Sequence, residues 1–290
     1  MKAKIILCVF LCALAAFAFA SQEDGIFSKK LGKIEIFMLV EAERDGNAGI
    51  LVGVDENFLD DFIPENGFKH TANAFLVKAG SKNILIDTGT GAGGIIIDKL
   101  KQLGVPPEKI SAVLLTHLHG DHFGSLQSNG KANFPKAKIY LSAKEHEYFT
   151  KTSVNEGAVA ALAPYGKKVI TFEPGAPAGK NKALLSAAAV GITAIAAYGH
   201  TPGHTAFLVE SKNEKLLIAG DFLHVALVQF ARPDISATYD MDKEAAAASR
   251  RRLLDYAAKN KIPIAGMHIV YPGIGMVETR GDGYRFIPAD

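Results

Sequence analysis

Cysteine is scarce in this 290-residue chain, and its placement excludes several kinds of site. The two cysteines, Cys8 and Cys12, both lie in an apolar run at residues 5–20. A short basic start precedes the run and an Ala-x-Ala box ends it, which is the pattern of a cleaved secretory signal peptide. We therefore expect removal of residues 1–20. The remaining chain, 21–290, would then hold neither a disulfide nor a thiolate metal ligand.

The chain also lacks a long apolar run and an excess of one charge. The run at 5–20 is shorter than the roughly 20 residues that a membrane-spanning helix needs. We therefore predict an exported protein, periplasmic or secreted, with no stable membrane anchor after cleavage. Removing Lys2 and Lys4 from the 32 basic residues leaves 30, against 30 acidic residues. This balance gives no electrostatic reason to expect a nucleic-acid partner. We expect a small-molecule substrate, and a homodimer remains open.

Short apolar segments bounded by turn residues predict strands in both halves of the chain. A helix is predicted at 93–103 and a longer one at 242–259, with Asp242 as its N-cap. Residues 150–183 are interpreted as a helical and loop insertion. Two strand-rich halves, each closed by helices, predict an α+β sandwich of two packed mixed sheets with helices on the outer faces, an αββα order. The predicted strands are 33–40, 48–54, 73–78, 83–87, 112–116, 192–197, 205–210, 215–219 and 262–267.

The densest group of potential metal ligands directly follows the apolar strand at 112–116. His117, His119, Asp121 and His122 are four such side chains within six residues. Imidazole and carboxylate groups suit zinc and its first-row neighbours. A strand end holds a ligand-bearing loop on a rigid element. The pattern therefore indicates a metal site rather than a loop of solvated histidines.

Further side chains of the same types follow later strands. His200 and His204 lie in one Gly/Pro-containing turn, Asp221 follows the strand at 215–219, and His268 follows the last predicted strand. Singly, each fits a structural role. Together with the first group they supply the ligands that a two-metal site needs.

The run His-x-His-x-Asp-His at 117–122, with the later histidines and Asp221, resembles the signature of the metallo-β-lactamase superfamily. The resemblance extends over nearly all of 21–290 and implies that superfamily's fold as one catalytic domain. It implies two divalent metal ions, for which zinc is expected. It does not make His204 a ligand, and a structural or ligand-supporting role is expected there. The implied ligands are His117, His119 and His200 for the first ion, Asp121, His122 and His268 for the second, and Asp221 as the bridge.

The resemblance further implies a hydrolase whose metal-bridging hydroxide attacks a carbonyl or phosphoryl centre. Asp121 is then the implied catalytic residue, because it can orient that hydroxide or pass its proton to the leaving group. Residues 220–224 and the tail at 271–286 are most similar to the methyl parathion hydrolase group, with acyl-homoserine lactonases as neighbours. The implied substrates are small esters: a lactone, an aryl ester or a phosphotriester.

Other functions on the same fold remain open at this stage. A β-lactamase is the nearest alternative, although the branch with a cysteine ligand is excluded. A glyoxalase II-like thioesterase shares the ligands but is expected to carry a further helical domain. An iron-dependent redox enzyme would be distinguished by colour and iron content. A non-catalytic metal-binding scaffold is disfavoured by the complete ligand set.

Several side chains near the ligands keep two roles open. Asp87 could orient a ligand imidazole or bond its own turn, and His224 could face the substrate or pack in the core. The arginines at 250–252 are interpreted as a solvated helix face. No lysine or arginine adjoins a ligand in sequence, so apolar, uncharged esters are expected to be preferred over β-lactams. Five apolar side chains of the polar loop at 55–70 are expected to form a pocket wall or ordinary core: Phe58, Leu59, Phe62, Ile63 and Phe68.

Overall fold

The computed structural model describes residues 24–177, 183–187 and 190–289. Within these ranges two seven-stranded sheets and one two-stranded ribbon are present. No helix in the same ranges is both long and apolar enough to cross a bilayer. The predicted signal peptide at 1–20 lies outside the described residues.

The first sheet is built from the N-terminal half and is mixed. Its order is β1-β2-β3-β4-β5-β8-β9, antiparallel from β1 to β4 and parallel from β4 to β9. The two remaining strands, β6 and β7, form the ribbon. The strands are β1 (Ile26–Leu31), β2 (Ile34–Asp45), β3 (Lys69–Ala79), β4 (Lys82–Ile86), β5 (Ile110–Leu114), β6 (Gln127–Ser128), β7 (Lys131–Ala132), β8 (Lys138–Ser142) and β9 (Val169–Phe172).

The second sheet follows chain order from β10 to β16. Its strands are antiparallel except for β13 and β14, which run parallel. The strands are β10 (Leu185–Ala187), β11 (Val190–Ala196), β12 (Thr205–Ser211), β13 (Glu214–Ile218), β14 (Ile264–Ala265), β15 (Ile274–Arg280) and β16 (Gly283–Pro288).

Seven α-helical segments connect the strands within the described ranges, and α7 is the longest. Its N-cap is Asp242, whose carboxylate accepts a hydrogen bond from the amide of Ala245, as the sequence predicted. A π-helical turn at Tyr148–Thr152 continues α4. The helices are α1 (Glu56–Asp60), α2 (Ile95–Gln102), α3 (Gly120–Phe123), α4 (Ala143–Glu147), α5 (Glu156–Leu162), α6 (Ala226–Gln229) and α7 (Lys243–Asn260).

Alternating side chains along the strands assemble the layers. On β3, Phe75 and Val77 enter the cluster between the two sheets, whereas Leu76 enters the cluster under α2 and α5. On β12, Phe207 faces the other sheet and Leu208 faces α7. Since a strand's side chains point alternately to its two faces, each sheet buries both. The predicted αββα sandwich of two mixed sheets is confirmed.

One predicted strand is wrong and another is shorter than expected. Residues 48–54 hold a 3₁₀ turn at Ala48–Ile50, because the side chain of Asn47 accepts from the amide of Gly49 and turns the chain. A single bridge from Leu51 to Ala237 is the β pairing that this segment makes. The predicted last strand at 262–267 is reduced to the two residues of β14.

Candidate metal centre

The predicted ligands come from both sheets and meet at one edge of the sandwich. His117 follows β5, Asp221 follows β13 and His268 follows β14. His200 lies in the connection between β11 and β12. Carboxyl ends of parallel strands meet at a common edge, which is where α/β folds place their ligand sites. His117 follows a parallel strand of the first sheet, and Asp221 and His268 follow the parallel pair of the second sheet. Packing of the two sheets therefore brings together residues that are far apart in sequence.

Three histidines form the first group. The Nε2 of His117 lies 3.1 Å from the Nδ1 of His119, and the Nε2 of His200 lies 3.0 Å from that same nitrogen. All three ring nitrogens therefore converge on one point. This is the trio that the family resemblance implied for the first ion, and its nitrogens can bind one cation together.

The second group contains Asp121, His122 and His268, with Asp221 beside them. The Nε2 of His122 lies 3.5 Å from Oδ2 of Asp121. Oδ2 of Asp221 lies 3.3 Å from that nitrogen and 2.9 Å from Nε2 of His268.

The carboxylate of Asp221 also reaches the first group. Its Oδ2 lies 3.8 Å from Nε2 of His117 and 3.6 Å from Nε2 of His200. One carboxylate oxygen therefore lies between the two groups, where a bridging ligand would be needed. The structure brings all seven predicted ligands together.

Three of the imidazoles are oriented by hydrogen bonds on the side of the ring that faces away from the other ligands. Each donates its Nδ1–H to an oxygen that can only accept, so the lone pair of Nε2 faces the centre. This is the arrangement in which proteins present histidine to a metal. The three hydrogen bonds run from His122 to Asp87 (2.7 Å), from His200 to Asp240 (3.0 Å) and from His268 to the carbonyl of Thr71 (2.8 Å).

Two of the six unpartnered buried side-chain atoms among the described residues belong to predicted ligands. The Nε2 of His122 and the Oδ1 of Asp221 have no hydrogen-bond partner among the described residues. Buried polar atoms of this kind are rare in native proteins and call for a missing partner. Divalent cations would satisfy both atoms, and the imidazole and carboxylate donors suit zinc-like ions. The residues present therefore fit two divalent ions.

The electrostatics of the site agree with that fit. Burial, followed by the neighbouring His200, lowers the pKa of His119 to about 4. Burial, followed by His122, likewise holds the pKa of His117 well below its usual value. Burial alone would raise the pKa of Asp221, but the adjacent His122 and His268 hold it well below its usual value. Neutral imidazoles and an ionised carboxylate are the states that bind metal. Burial would lower the pKa of His122 and His268 as well, but the carboxylates of Asp221 and Asp121 raise it, so an ion in the second group would displace protons from these two rings.

His204 supports the centre from outside the ligand set. Its Nδ1–H donates to the carbonyl of Ala197 at 2.9 Å, and its Nε2 accepts from the amide of Asp221 at 3.0 Å. Both ring nitrogens are therefore used by backbone groups, and His204 fixes the main chain at Asp221. His224 is also nearly buried, with its Nε2 3.5 Å from Oδ2 of Asp221 and its ring stacked on His268.

Two supporting residues were missed from sequence. Asp240 accepts from His200 with Oδ1, while its Oδ2 accepts from the amide of Ala237 and lies 3.3 Å from Arg250. The expectation of a solvated arginine face was wrong for Arg250, which is 1% exposed. Helical spacing carried a signal, since Arg250 lies four residues after Ala246 on the buried face of α7. Its guanidinium also donates to the carbonyls of Phe222, Pro233 and Ile235.

A cavity of about 520 Å³ opens onto both groups of ligands. Its apolar wall includes Ile50, Phe68 and Val225, and Arg44 and Tyr239 also line it. Of the loop phenylalanines only Phe68 therefore reaches the cavity within the described ranges. The other apolar side chains of the loop are partly buried: Phe58, Leu59, Phe62 and Ile63 pack on a small cluster built around Leu51, Val225, Val228 and Ile235.

Comparison with known proteins identifies the family. A sequence model of the Metallo-beta-lactamase superfamily matches residues 68–262. The chain belongs to this superfamily. The match covers the segment that carries six of the seven predicted ligands, and His268 follows just beyond it.

Two solved structures are similar to this chain over most of its length. Hydrolase AbOPH, of the beta lactamase superfamily, is 28% identical with a TM-score of 0.81, covering 92% of this chain and 98% of AbOPH. AidC, described as a dizinc quorum-quenching lactonase and solved with its product N-hexanoyl-L-homoserine, is 26% identical with a TM-score of 0.80 and the same coverage.

Curated relatives match over shorter stretches. The uncharacterized protein YobT of Bacillus subtilis (strain 168) is 34% identical over 153 residues, 51% of this chain and 60% of YobT. The N-acyl homoserine lactonase AttM of Agrobacterium fabrum is 28% identical over 123 residues, 42% of this chain and 44% of AttM. The matched segments thus span less than two thirds of either relative.

Proposed function

We propose that the chain is a binuclear metal-dependent hydrolase of small ester-like substrates. The observation that carries the proposal is the placement of Asp221 Oδ2 between two ligand groups at the floor of a 520 Å³ cavity. The similarity to AidC, a dizinc lactonase, supports both the zinc pair and the ester-type reaction.

The chain's residues divide the work of holding the two ions. His117, His119 and His200 would bind one, Asp121, His122 and His268 the other, and Asp221 would contact both. When bound, such ions supply Lewis-acid polarisation of a substrate oxygen and activate water at neutral pH. Asp87, Asp240 and the carbonyl of Thr71 keep three of the imidazoles in the required orientation.

Asp121 is the residue that we assign to proton transfer. Its side chain is 35% exposed and lines the cavity, whereas that of Asp221 is 3% exposed. Burial would raise the pKa of Asp121, but His122 lowers it below its usual value, so the carboxylate is ionised at neutral pH. An ionised carboxylate that faces the cavity can orient the attacking water and pass its proton to the leaving oxygen.

The cavity wall favours an uncharged acyl or aryl group. Ile50, Phe68 and Val225 form an apolar surface beside the ligands. An apolar pocket with a few polar groups selects for substrates of matching shape and polarity. A lactone, an aryl ester or a phosphotriester fits this description.

A β-lactam is the second candidate, and one observation favours it. Arg44 lies in the cavity wall, where sequence adjacency alone had given no cation near the ligands. A guanidinium can hold the carboxylate that common β-lactams carry.

An activity panel on zinc-replete protein tests the proposal. Lactones, aryl esters, phosphotriesters and penicillins would be compared by kcat/KM, with bound zinc and iron measured on the same samples. Asp121→Ala is the control, and its turnover should fall by at least 100-fold, the usual contribution of a proton-transfer group, even if metal remains bound. Fastest turnover of penicillins, with Arg44→Ala losing that activity, would favour the second candidate. No ester or amide turnover by two-metal protein would contradict hydrolysis altogether.

A further inference from the structure

Glu145 is a fully buried carboxylate outside the ligand set. It lies on α4, directly after β8, and β8 pairs in parallel with the strand that leads to His117. Its side chain therefore enters the same edge of the sandwich as the ligands. Its relative exposure is 0%.

Each hydrogen bond that the carboxylate of Glu145 accepts within the described residues comes from one of the two loops that carry the first ligand group. Oε1 accepts from the amide of Leu118 at 2.8 Å. Oε2 accepts from the hydroxyl of Thr201 and from the amide of Gly203, both at 2.8 Å. Leu118 stands between His117 and His119, and Thr201 directly follows His200. Oε1 therefore bonds the residue between His117 and His119, and Oε2 bonds the residue next to His200.

The two loops belong to different sheets, and Glu145 joins them. We define the first ligand loop as residues 117–122, after β5, and the second ligand loop as residues 198–204, between β11 and β12. The nitrogens of the first group meet only when these loops have the correct spacing. A carboxylate with one oxygen on each loop sets that spacing directly.

Close backbone contact reinforces the link. A Cβ added at Gly203 would lie 2.3 Å from the amide nitrogen of Glu145 and 2.7 Å from its Cα. Only glycine therefore lets the second ligand loop lie directly against α4. The residue of α4 that the second ligand loop packs against, Glu145, is also the residue that forms hydrogen bonds with the loop.

A glutamate at this position is not explained by stability alone. Burying a carboxylate is unfavourable even when hydrogen bonds satisfy it, and burial raises the pKa of Glu145. Its hydrogen-bond partners within the described ranges are two amides and one hydroxyl, none of which is a cation. Three donors converge on two oxygens here. Only a group that accepts on both oxygens can satisfy donors from both loops at once.

We propose that Glu145 is a positioning residue that sets the spacing between the two ligand loops and thereby the metal affinity of the His117, His119 and His200 group. The inference rests on the proposed metal centre. It assigns Glu145 no contact with substrate or ions.

Stepwise zinc binding of Glu145→Gln, measured by competition with a chelator, tests the inference. A glutamine has nearly the same shape, but its amide NH₂ must face a donor from one of the loops. We expect one of the two binding steps to weaken by roughly 10–100-fold, as for other groups that orient ligands. The weakened step should be the one that His119→Ala removes, and the other should stay within about threefold of wild type.

Tyr165→Phe is the matched control for a general loss of stability. The hydroxyl of Tyr165 is buried, donates to the carbonyl of Leu126 and accepts from the amide of Phe134, and it touches neither ligand loop. This variant should unfold more easily when metal-free, yet bind both zinc ions like wild type. If Glu145→Gln does not fold, Thr201→Val removes one of the three bonds and should weaken the same step several-fold.

The outcomes separate the two proposals. Unchanged zinc binding in Glu145→Gln, or equal weakening of both steps, would overturn the positioning role. Unchanged binding in Thr201→Val would do the same where Glu145→Gln cannot be made. A wild-type protein that binds fewer than two ions would instead contradict the proposed metal centre itself.

Discussion

Replacing Asp240 with asparagine tests how strongly the support behind His200 stabilises the protein. Both carboxylate oxygens are in use, Oδ1 by His200 and Oδ2 by the amide of Ala237 and the guanidinium of Arg250. An asparagine has only one side-chain oxygen, so it can accept either from His200 or from Ala237 and Arg250. Its NH₂ group then faces a donor on the other side. Whichever way it turns, Arg250 loses its carboxylate partner.

The expected loss of stability follows from burial. Asp240 and Arg250 are 2% and 1% exposed, and removing one partner of a buried ion pair destabilises by about 3–5 kcal/mol. The three carbonyls that also accept from Arg250 reduce this, so we expect about 2–4 kcal/mol. Where the NH₂ group turns towards His200, zinc affinity should fall as well, by roughly 10–100-fold, because His200 then loses the acceptor that orients it.

Urea unfolding of metal-free protein measures the first effect, with Asp234→Asn as the matched control. Asp234 pairs with Arg232 at 2.7 Å, but both side chains are about half exposed. That change should therefore shift the free energy of unfolding by less than about 1 kcal/mol. If Asp240→Asn is no more destabilising than Asp234→Asn, the buried hydrogen bonds and ion pair of Asp240 contribute less to the free energy of unfolding than we expect.

Three further predictions concern acid stability, the cavity wall and the N-terminus. Burial lowers the pKa of His204 from 6.5 to about 3, so the unfolded chain takes up this proton first, and the stability that neutral His204 gives the metal-free protein is lost as pH falls from about 6.5 towards 3. In the variant His204→Gln, the free energy of unfolding should change less steeply with pH, by up to about 1.4 kcal/mol per pH unit. If unfolding experiments give the same pH dependence as for wild type, His204 is not the group responsible. Phe68→Ala should raise KM for long-chain or aromatic esters by the equivalent of about 1–3 kcal/mol, while Phe58→Ala, outside the cavity, should leave KM unchanged in steady-state assays. Mass spectrometry of exported protein should show Ser21 as the first residue, and an exported species retaining residues 1–20 would rule out cleavage there.

The candidate ligands were readable from sequence because they are concentrated at strand ends, whereas their division between two ions came from the family resemblance. Four of the seven ligands lie within 117–122, after a strand whose apolar residues predict burial on both faces. The layer order followed from strand-rich halves closed by helices. These features are local in the sequence, so the pattern of apolar residues and the spacing of the ligands reveal them directly.

The supporting residues could not be found in the same way. Asp240 bonds a histidine 40 residues away, and Glu145 bonds residues 27, 56 and 58 positions away. Each is one acid among 30 in the chain, with no neighbouring motif. Arg250 was misread because three consecutive arginines were treated as one surface, although helical spacing turns only one of them inward.

The loop phenylalanines show a different limit. Composition indicated an apolar cluster in the polar segment at 55–70 but could not say which cluster. Phe58 and Phe62 pack against each other, with ring centroids 5.0 Å apart, and Phe68 alone turns towards the ligands. The difference depends on the fold of α1 and the chain that follows it.

Diffraction from zinc-replete crystals, measured on both sides of the zinc absorption edge, tests whether the chain binds two ions that share Asp221. We expect two anomalous peaks per chain, one at the His117, His119 and His200 group and one at the Asp121, His122 and His268 group, with the carboxylate of Asp221 between them. A single peak, or two peaks that leave Asp221 without contact to both ions, would contradict the proposed metal centre.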